Sequence, residues 1–157
     1  MKSTTIPLDA LDRRILNVLQ ADSALTHEAL ADRVHSSPPT CLRRVRRLVE
    51  AGVIARRIAI VDPDRLGAGL TAVVEVTLDQ QSAEAGDAFE LTVADEPAIQ
   101  QCYRVSSGPD FVLIVWAADM AGYHAFVHRA LTNQANVRNV RAFFAVKRVK
   151  FAPAIAV

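Results

Sequence analysis

The chain has 157 residues, of which 51% are apolar and 22% charged, and its net charge is +1; that composition belongs to one ordinary folded domain or two small ones and argues against disorder. Its two cysteines, Cys41 and Cys102, exclude a disulfide scaffold and a four-thiolate zinc site. The longest strongly apolar stretch, Phe111 to Ala118, falls far short of the roughly 20 residues of a membrane helix, and no apolar run follows Lys2, so a cytoplasmic protein without structural metal is expected.

Asp9 and Asp12 open a first helix in which Leu8, Leu11, Ile15, Val18 and Leu19 recur at three- and four-residue steps, with the acids well placed in the first turn. Thr26 is the expected N-cap of a short second helix, His27 to Val34. After His35 and Ser36, Ser37 with Pro38 and Pro39 starts a third helix, because proline is tolerated in a first turn whose amides lack partners. Gly52 ends that helix. At about 100° per residue, Leu42, Val45, Leu48 and Val49 form its packing arc. Pro39, Thr40, Arg43 and Arg47 fall opposite, with Arg44 and Arg46 on the flanks.

A short helix, a tight turn and a second helix with a basic outer face match a helix-turn-helix, whose outer face enters the major groove. The charge balance agrees, at +3 through Gly69 and −2 beyond it. A clustered basic face serves as a footprint for phosphate. Val53 to Val61 then reads as a strand, Asp62-Pro63 as a turn, and Arg65 to Gly69 as a linker. The expected division is a DNA-binding domain over 1–54, a strand and linker over 55–69, and a second domain over 70–157.

In that second domain Ala72, Val74, Val76 and Leu78 take one face of a strand, and Ser82 to Ala94 is helical, with Ala85, Phe89 and Val93 in line. Ile99, Gln101, Tyr103 and Val105 alternate, Ser106 to Asp110 turns, and Phe111 to Ala118 is a central strand. Asp119 caps a second helix with Met120, Tyr123, Val127, Ala130 and Leu131 in a stripe. A last long strand runs from about Val137 to Phe151. The order strand, helix, strand, strand, helix, strand is the ferredoxin-like βαββαβ arrangement, so the whole is an α+β protein. Both helices then cover one side of the sheet. The other side carries apolar residues, and such a face marks a partner surface, for which a homodimer is expected.

Three segments resemble the leucine-responsive regulator/AsnC family of transcription factors. They are Leu8-Asp-Ala-Leu-Asp12-Arg13-Arg-Ile15-Leu16, then Pro38-Pro-Thr-Cys41-Leu42-Arg-Arg44-Val45-Arg46-Arg47-Leu48, and Gly52-Val-Ile. Tyr103-Arg-Val105-Ser106 leading into Asp110, and the final strand into Lys150, resemble it as well. The resemblance implies a winged helix-turn-helix that binds double-stranded promoter DNA, and an ACT-like domain that senses an amino acid or related metabolite where dimers meet. It implies dimers that often assemble as rings of four, an octamer, with no cofactor. Three positions depart from the family pattern. His35 and Ser36 replace a glycine and an apolar residue, Ser107 replaces the effector-loop glycine, and Gln134-Ala-Asn-Val137 replaces leucine-proline-glycine-valine.

For DNA, Thr40, Arg43 and Arg47, on the face shared with Pro39, are expected at base edges. Arg44, Arg46, Thr26 and His27 are expected at phosphates; for Arg44 the alternative is an ion pair with Glu50 or with an acid on the first helix. For effector, the candidates are Tyr103, Ser106, Ser107, Gly108, Asp110 and Gln134. Amides near Ser107 and Gly108 suit a carboxylate, and Asp110 suits an α-ammonium; the alternative is a plain hairpin turn in which Asp110 makes a turn hydrogen bond. His124 and His128 stand four apart on a helix but have no third ligand at a matching spacing. Cys41 is expected as a small packed residue. Two other functions fit the scaffold: an architectural DNA-packing protein that needs no effector, and a tetrapyrrole decarboxylase. The four arginines of the third helix and the single histidine pair argue against the enzyme.

Overall fold

The computed structural model describes residues 6–67, 69–134 and 136–157, with Asp64 described by its backbone alone. The chain forms two compact units. The first runs up to Val61 and includes the returning tail Lys150–Val157, and the second is Asp62–Val149. As compact units the chain divides at 61/62, where the expected division lay near Gly69, and residues 150–157 group with the first unit.

The first unit contains α1 (Ala10–Ala21), α2 (His27–Val34) and α3 (Pro38–Glu50). Asp9 caps α1 in a capping box with Asp12. Thr26 caps α2, its hydroxyl accepting from Ala29 N at 3.1 Å. The link to α3 depends on His35, whose φ of +52° is left-handed and which stands where Gly is commonest. That bend brings Ser36 N to Ala31 O at 2.9 Å. Ser37 precedes α3, but its hydroxyl donates to Thr40 Oγ1 instead of capping a backbone amide. Gly52, at φ +71°, ends the turn after α3. The core is Ile15, Leu16, Leu30, Val34, Cys41, Val45 and Leu48, with Val157 of the tail packed against it.

Residues 55–61 form no strand. A strand needs a neighbour for its amides and carbonyls, and none of the described residues pairs with this segment.

The second unit is a four-stranded antiparallel sheet, ordered β2-β3-β1-β4, of β1 (Leu70–Leu78), β2 (Ile99–Arg104), β3 (Phe111–Ala117) and β4 (Val137–Phe144). The helix α4 (Ala83–Val93) follows β1, and α5 (Met120–Phe126) follows β3. This is the expected βαββαβ order. Ala72, Val74, Val76 and Leu78 of β1 and Phe111, Leu113 and Val115 of β3 are buried in one core with Phe89, Val93, Tyr123, Phe126 and Leu131. β3 is fully buried on that face alone; its Val112, Ile114 and Trp116, on the other, are half-buried.

Two expectations are corrected here. α5 passes into a π-helical segment over Val127–Thr132. Ala130 and Leu131 are buried as expected, but Phe126 rather than Val127 is the fully buried residue before them, and Met120, at the start of α5, is exposed. The last strand stops at Phe144 rather than Phe151, because β1 begins at Leu70 and offers nothing to pair with beyond the bond from Ala145 N to Thr71 O.

Candidate nucleic-acid interface and ligand loop

Helix α3 buries Cys41, Val45 and Leu48. Leu42 is only half-buried and Val49 is exposed. The packing arc is therefore turned about 40° from the one expected, and the outermost ridge becomes Pro39, Arg43, Arg46 and Glu50.

The rotation follows from what α1 offers. Asp12 is fully buried, a position that a carboxylate occupies only when paired. It accepts from Arg44 Nη1 at 3.1 Å and from Arg47 Nη2, while Arg44 also pairs with Asp9. Arg47 thus leans onto α1 rather than pointing straight outward as expected, although its side chain stays 45% exposed. Arg44 takes the alternative of an acid on the first helix. The Asp9 carboxyl is held at about 2, first by the Asp12 amide that it caps and then by the Arg44 guanidinium. The same two carboxylates raise the Arg44 pKa, Asp9 foremost.

Arg43 and Arg46 are exposed, and neither has an ion-pair partner among the described residues. Pro39 is exposed beside them, and Thr40 is half-buried and bonded to Ser37. Beside the ridge lies a cleft of about 450 Å³ lined by Leu42, Val49 and Ile54 together with His27, Arg46, Arg56 and Arg57. His27 therefore shares a cleft with the cations Arg56 and Arg57 beyond Gly52. Arg56 and Arg57 were not among the sequence candidates; as a basic pair just after the helix they were the available signal.

In the second unit, the loop between β2 and β3 holds Ser106, Ser107 and Gly108 exposed, with Gly108 at φ +86°. Asp110 is not free. Its carboxylate accepts from Leu78 N at 2.7 Å and from Gln81 Nε2 at 3.2 Å, so it ties the loop to the end of β1. This is a structural hydrogen bond, but it reaches across to another strand rather than within the hairpin. Asn136 clamps the same turn from another side, accepting from Gln80 N at 2.9 Å and donating to Gln80 O at 3.2 Å. The half-buried Gln134 lies just before it. The loops at Asp110 and at Gln134–Asn136 thus converge on residues 78–81. Gln81 and Asn136 carried no sequence signal, since their partners stand 29 and 56 positions away. Tyr103 is apart from them, on the open side of the sheet opposite Val112, its hydroxyl donating to Gln101 Oε1 at 2.6 Å.

Among the described residues no three His, Cys, Asp or Glu side chains group as metal ligands; the His124 ring stacks edgewise on Tyr123 instead. None of the described helices is long and apolar enough to cross a membrane. The Cys41 thiol is buried in the first core.

Comparison with known proteins places both units. Residues 8–55 match the winged helix-turn-helix DNA-binding family, and residues 71–155 match the Lrp/AsnC ligand binding domain. A leucine-responsive regulatory protein of Rhizobium meliloti is 40% identical over 92% of this chain and 93% of its own length. A transcriptional regulator of Neisseria meningitidis, crystallised as a complex with L-Met, shares 30% identity, covers 95% of this chain and 96% of its own, and superposes with a TM-score of 0.85. An AsnC family transcriptional regulator of Agrobacterium tumefaciens shares 34% identity over 94% and 96% of the two chains, with a TM-score of 0.85.

Proposed function

Because this chain belongs to the Lrp/AsnC family of transcriptional regulators, we propose that it reads operator DNA with the outer ridge of α3 and that an amino acid or related metabolite, bound by its second unit, alters assembly or DNA affinity. The carrying observation is that Arg43 and Arg46 stand exposed, without an ion-pair partner among the described residues, on the face of α3 that packing does not use. Arg43 meets base edges, helped by Thr40 and Pro39. Arg46, His27 and the capped start of α2 at Thr26 hold phosphates. Arg47 reads from the flank, and Arg44 is committed to α1. Such a protein acts on chromosomal DNA in the cytoplasm.

The open side of the sheet supports a homodimer. Val73 and Phe143 are paired neighbours there, beside Ile114 and Trp116, and such an apolar face is covered in a functional assembly. A two-fold pair presents two ridges to successive major grooves, and four pairs make the octamer that the family resemblance implies. The exposed loop residues Ser107 and Gly108, with Asp110 and Gln134 nearby, are the proposed effector site, with Tyr103 belonging to it only if assembly brings the sheet's open side close. L-Met in the Neisseria relative supports an amino acid as ligand.

The engagement of Asp110 with Leu78 and Gln81 favours a second reading, an architectural DNA-binding protein without effector. Footprinting on the DNA upstream of its own gene, with and without each of the twenty amino acids, separates the two. A bounded footprint that shifts with one amino acid supports the sensor. A footprint indifferent to all of them supports the packer, and no footprint at low salt removes both.

A further inference from the structure

Asp12 carries more than the usual duty of a helix-opening acid. Its buried carboxylate accepts from Asp9 N at 3.1 Å in the capping box, from Arg44 Nη1 through Oδ1, and from Arg47 Nη2 through Oδ2. α1 therefore sorts the four cations of α3. Arg44 is largely covered, its side chain 24% exposed and shared by two carboxylates. Arg47 is held by one nitrogen while nearly half of its side chain faces out. Arg43 and Arg46 have no carboxylate partner among the described residues.

Two physical consequences follow for a helix that meets DNA. A free arginine samples many rotamers and loses them on reaching a base, whereas a guanidinium already fixed by a buried carboxylate has lost them on folding. A guanidinium beside a carboxylate also has less net attraction for any phosphate, so what it contributes is the direction of its remaining N–H groups, which carries sequence information.

We infer that Asp12 is a positioning residue for operator discrimination: it anchors the guanidinium of Arg47 by one nitrogen so that the other nitrogens meet one base-edge pattern, and it withholds Arg44 from DNA. A residue of α1, outside the helix-turn-helix itself, thus sets specificity. The inference rests on the reading of α3 as the DNA-contacting ridge.

The test is a double-mutant cycle on full-length protein, using a duplex that the wild type enriches from a randomised library and poly(dI-dC) as the nonspecific competitor. Asp12→Asn is expected to lower the ratio of the two affinities about tenfold, with nonspecific affinity unchanged or raised. Arg47→Ala is expected to lower the ratio similarly, and Asp12→Asn added to Arg47→Ala to lower it no further. A lower melting temperature with an unchanged ratio overturns the inference, as does an Arg47→Ala that leaves the ratio unchanged. Equal losses from Asp12→Asn in the presence and absence of Arg47 overturn it too. If Asp12→Asn does not fold, Asp9→Asn carries the same cycle, since asparagine caps helices as well as aspartate. Its loss, through Arg44 shifting onto Asp12, is then expected at about two- to threefold, and again absent in Arg47→Ala. A wild type that enriches no duplex brings down the DNA reading itself, and this inference with it.

Discussion

Gln20 of α1 and Ile155 of the tail exchange two hydrogen bonds, Gln20 Nε2 donating to Ile155 O at 3.0 Å and Ile155 N donating to Gln20 Oε1 at 2.8 Å. The side-chain amide acts as a short strand partner for a chain end that has left the sheet. Val157 adds its side chain to the first core, and its carbonyl accepts from Asn17 Nδ2 at 3.4 Å. Removing residues 150–157 is expected to destabilise the first unit by about 1–3 kcal/mol, from net hydrogen-bond and burial terms of about 1 kcal/mol each. Amide exchange in α1 should accelerate while β1 and β3 keep their protection. Unchanged exchange in α1 would show that the tail holds nothing.

The two arginines of α3 without an ion-pair partner among the described residues should fail differently. Arg43→Ala is expected to relax preference among operator variants at one position, at a cost of about 1–3 kcal/mol for the preferred duplex. Arg46→Ala is expected to weaken all duplexes alike and to reduce the slope of log affinity against log salt by about one. Titrations at four salt concentrations on the preferred duplex and on a scrambled one measure both. An Arg43→Ala protein with unaltered preference would mean that another face of α3 meets the bases.

Asp110 combines a structural bond with a proposed ligand contact, and two substitutions separate them. Asp110→Ala strands the Leu78 amide at the end of β1 and is expected to cost about 1–3 kcal/mol. Asp110→Asn keeps an acceptor for that amide but has no charge for an α-ammonium. It should melt close to wild type and give no heat with the amino acid that wild type binds. Equal heats from wild type and Asp110→Asn would remove Asp110 from the effector site.

Acid should loosen the contact between α1 and α3. The folded Asp9 carboxyl sits at about 2, below its ordinary 3.8, so the unfolded chain takes up the proton first as pH falls. The stability it contributes is complete above about pH 4 and drains away between 3.8 and 2. Asp9→Asn, which keeps the cap and lacks the charge, should melt below wild type at pH 6. The gap should close as pH approaches 2, followed by the amide signals of α1 and α3. Glu96 is lowered in the same direction by its bond to Arg129, but it lies in the second unit and leaves those signals alone. A gap that persists at pH 2 would mean that the charge is not its source.

The parts of this protein legible in its sequence are those decided within a few residues. Thr26 and Asp119 cap because their oxygens reach amides three positions on. His35 takes the left-handed bend at a helix end where glycine is usual, and the alternation of β1 sorts its residues between two faces. The family and the loop at Ser106–Asp110 followed from such local signals together with the motif spacing. The 53–61 segment reads as a strand by the same local rule, yet a strand is a property of two segments, and among the described residues no second segment pairs with it.

A helical period states which residues share a face, but not which flank of that face meets a neighbour. For α3 that choice rests on Asp12, a carboxylate 32 positions from Arg44 and 35 from Arg47. Burying it unpaired would cost more than turning the helix by about 40°. The sequence alone thus determined that α3 is a basic, outward-facing helix, while the tertiary structure decided which of its arginines are tied to α1.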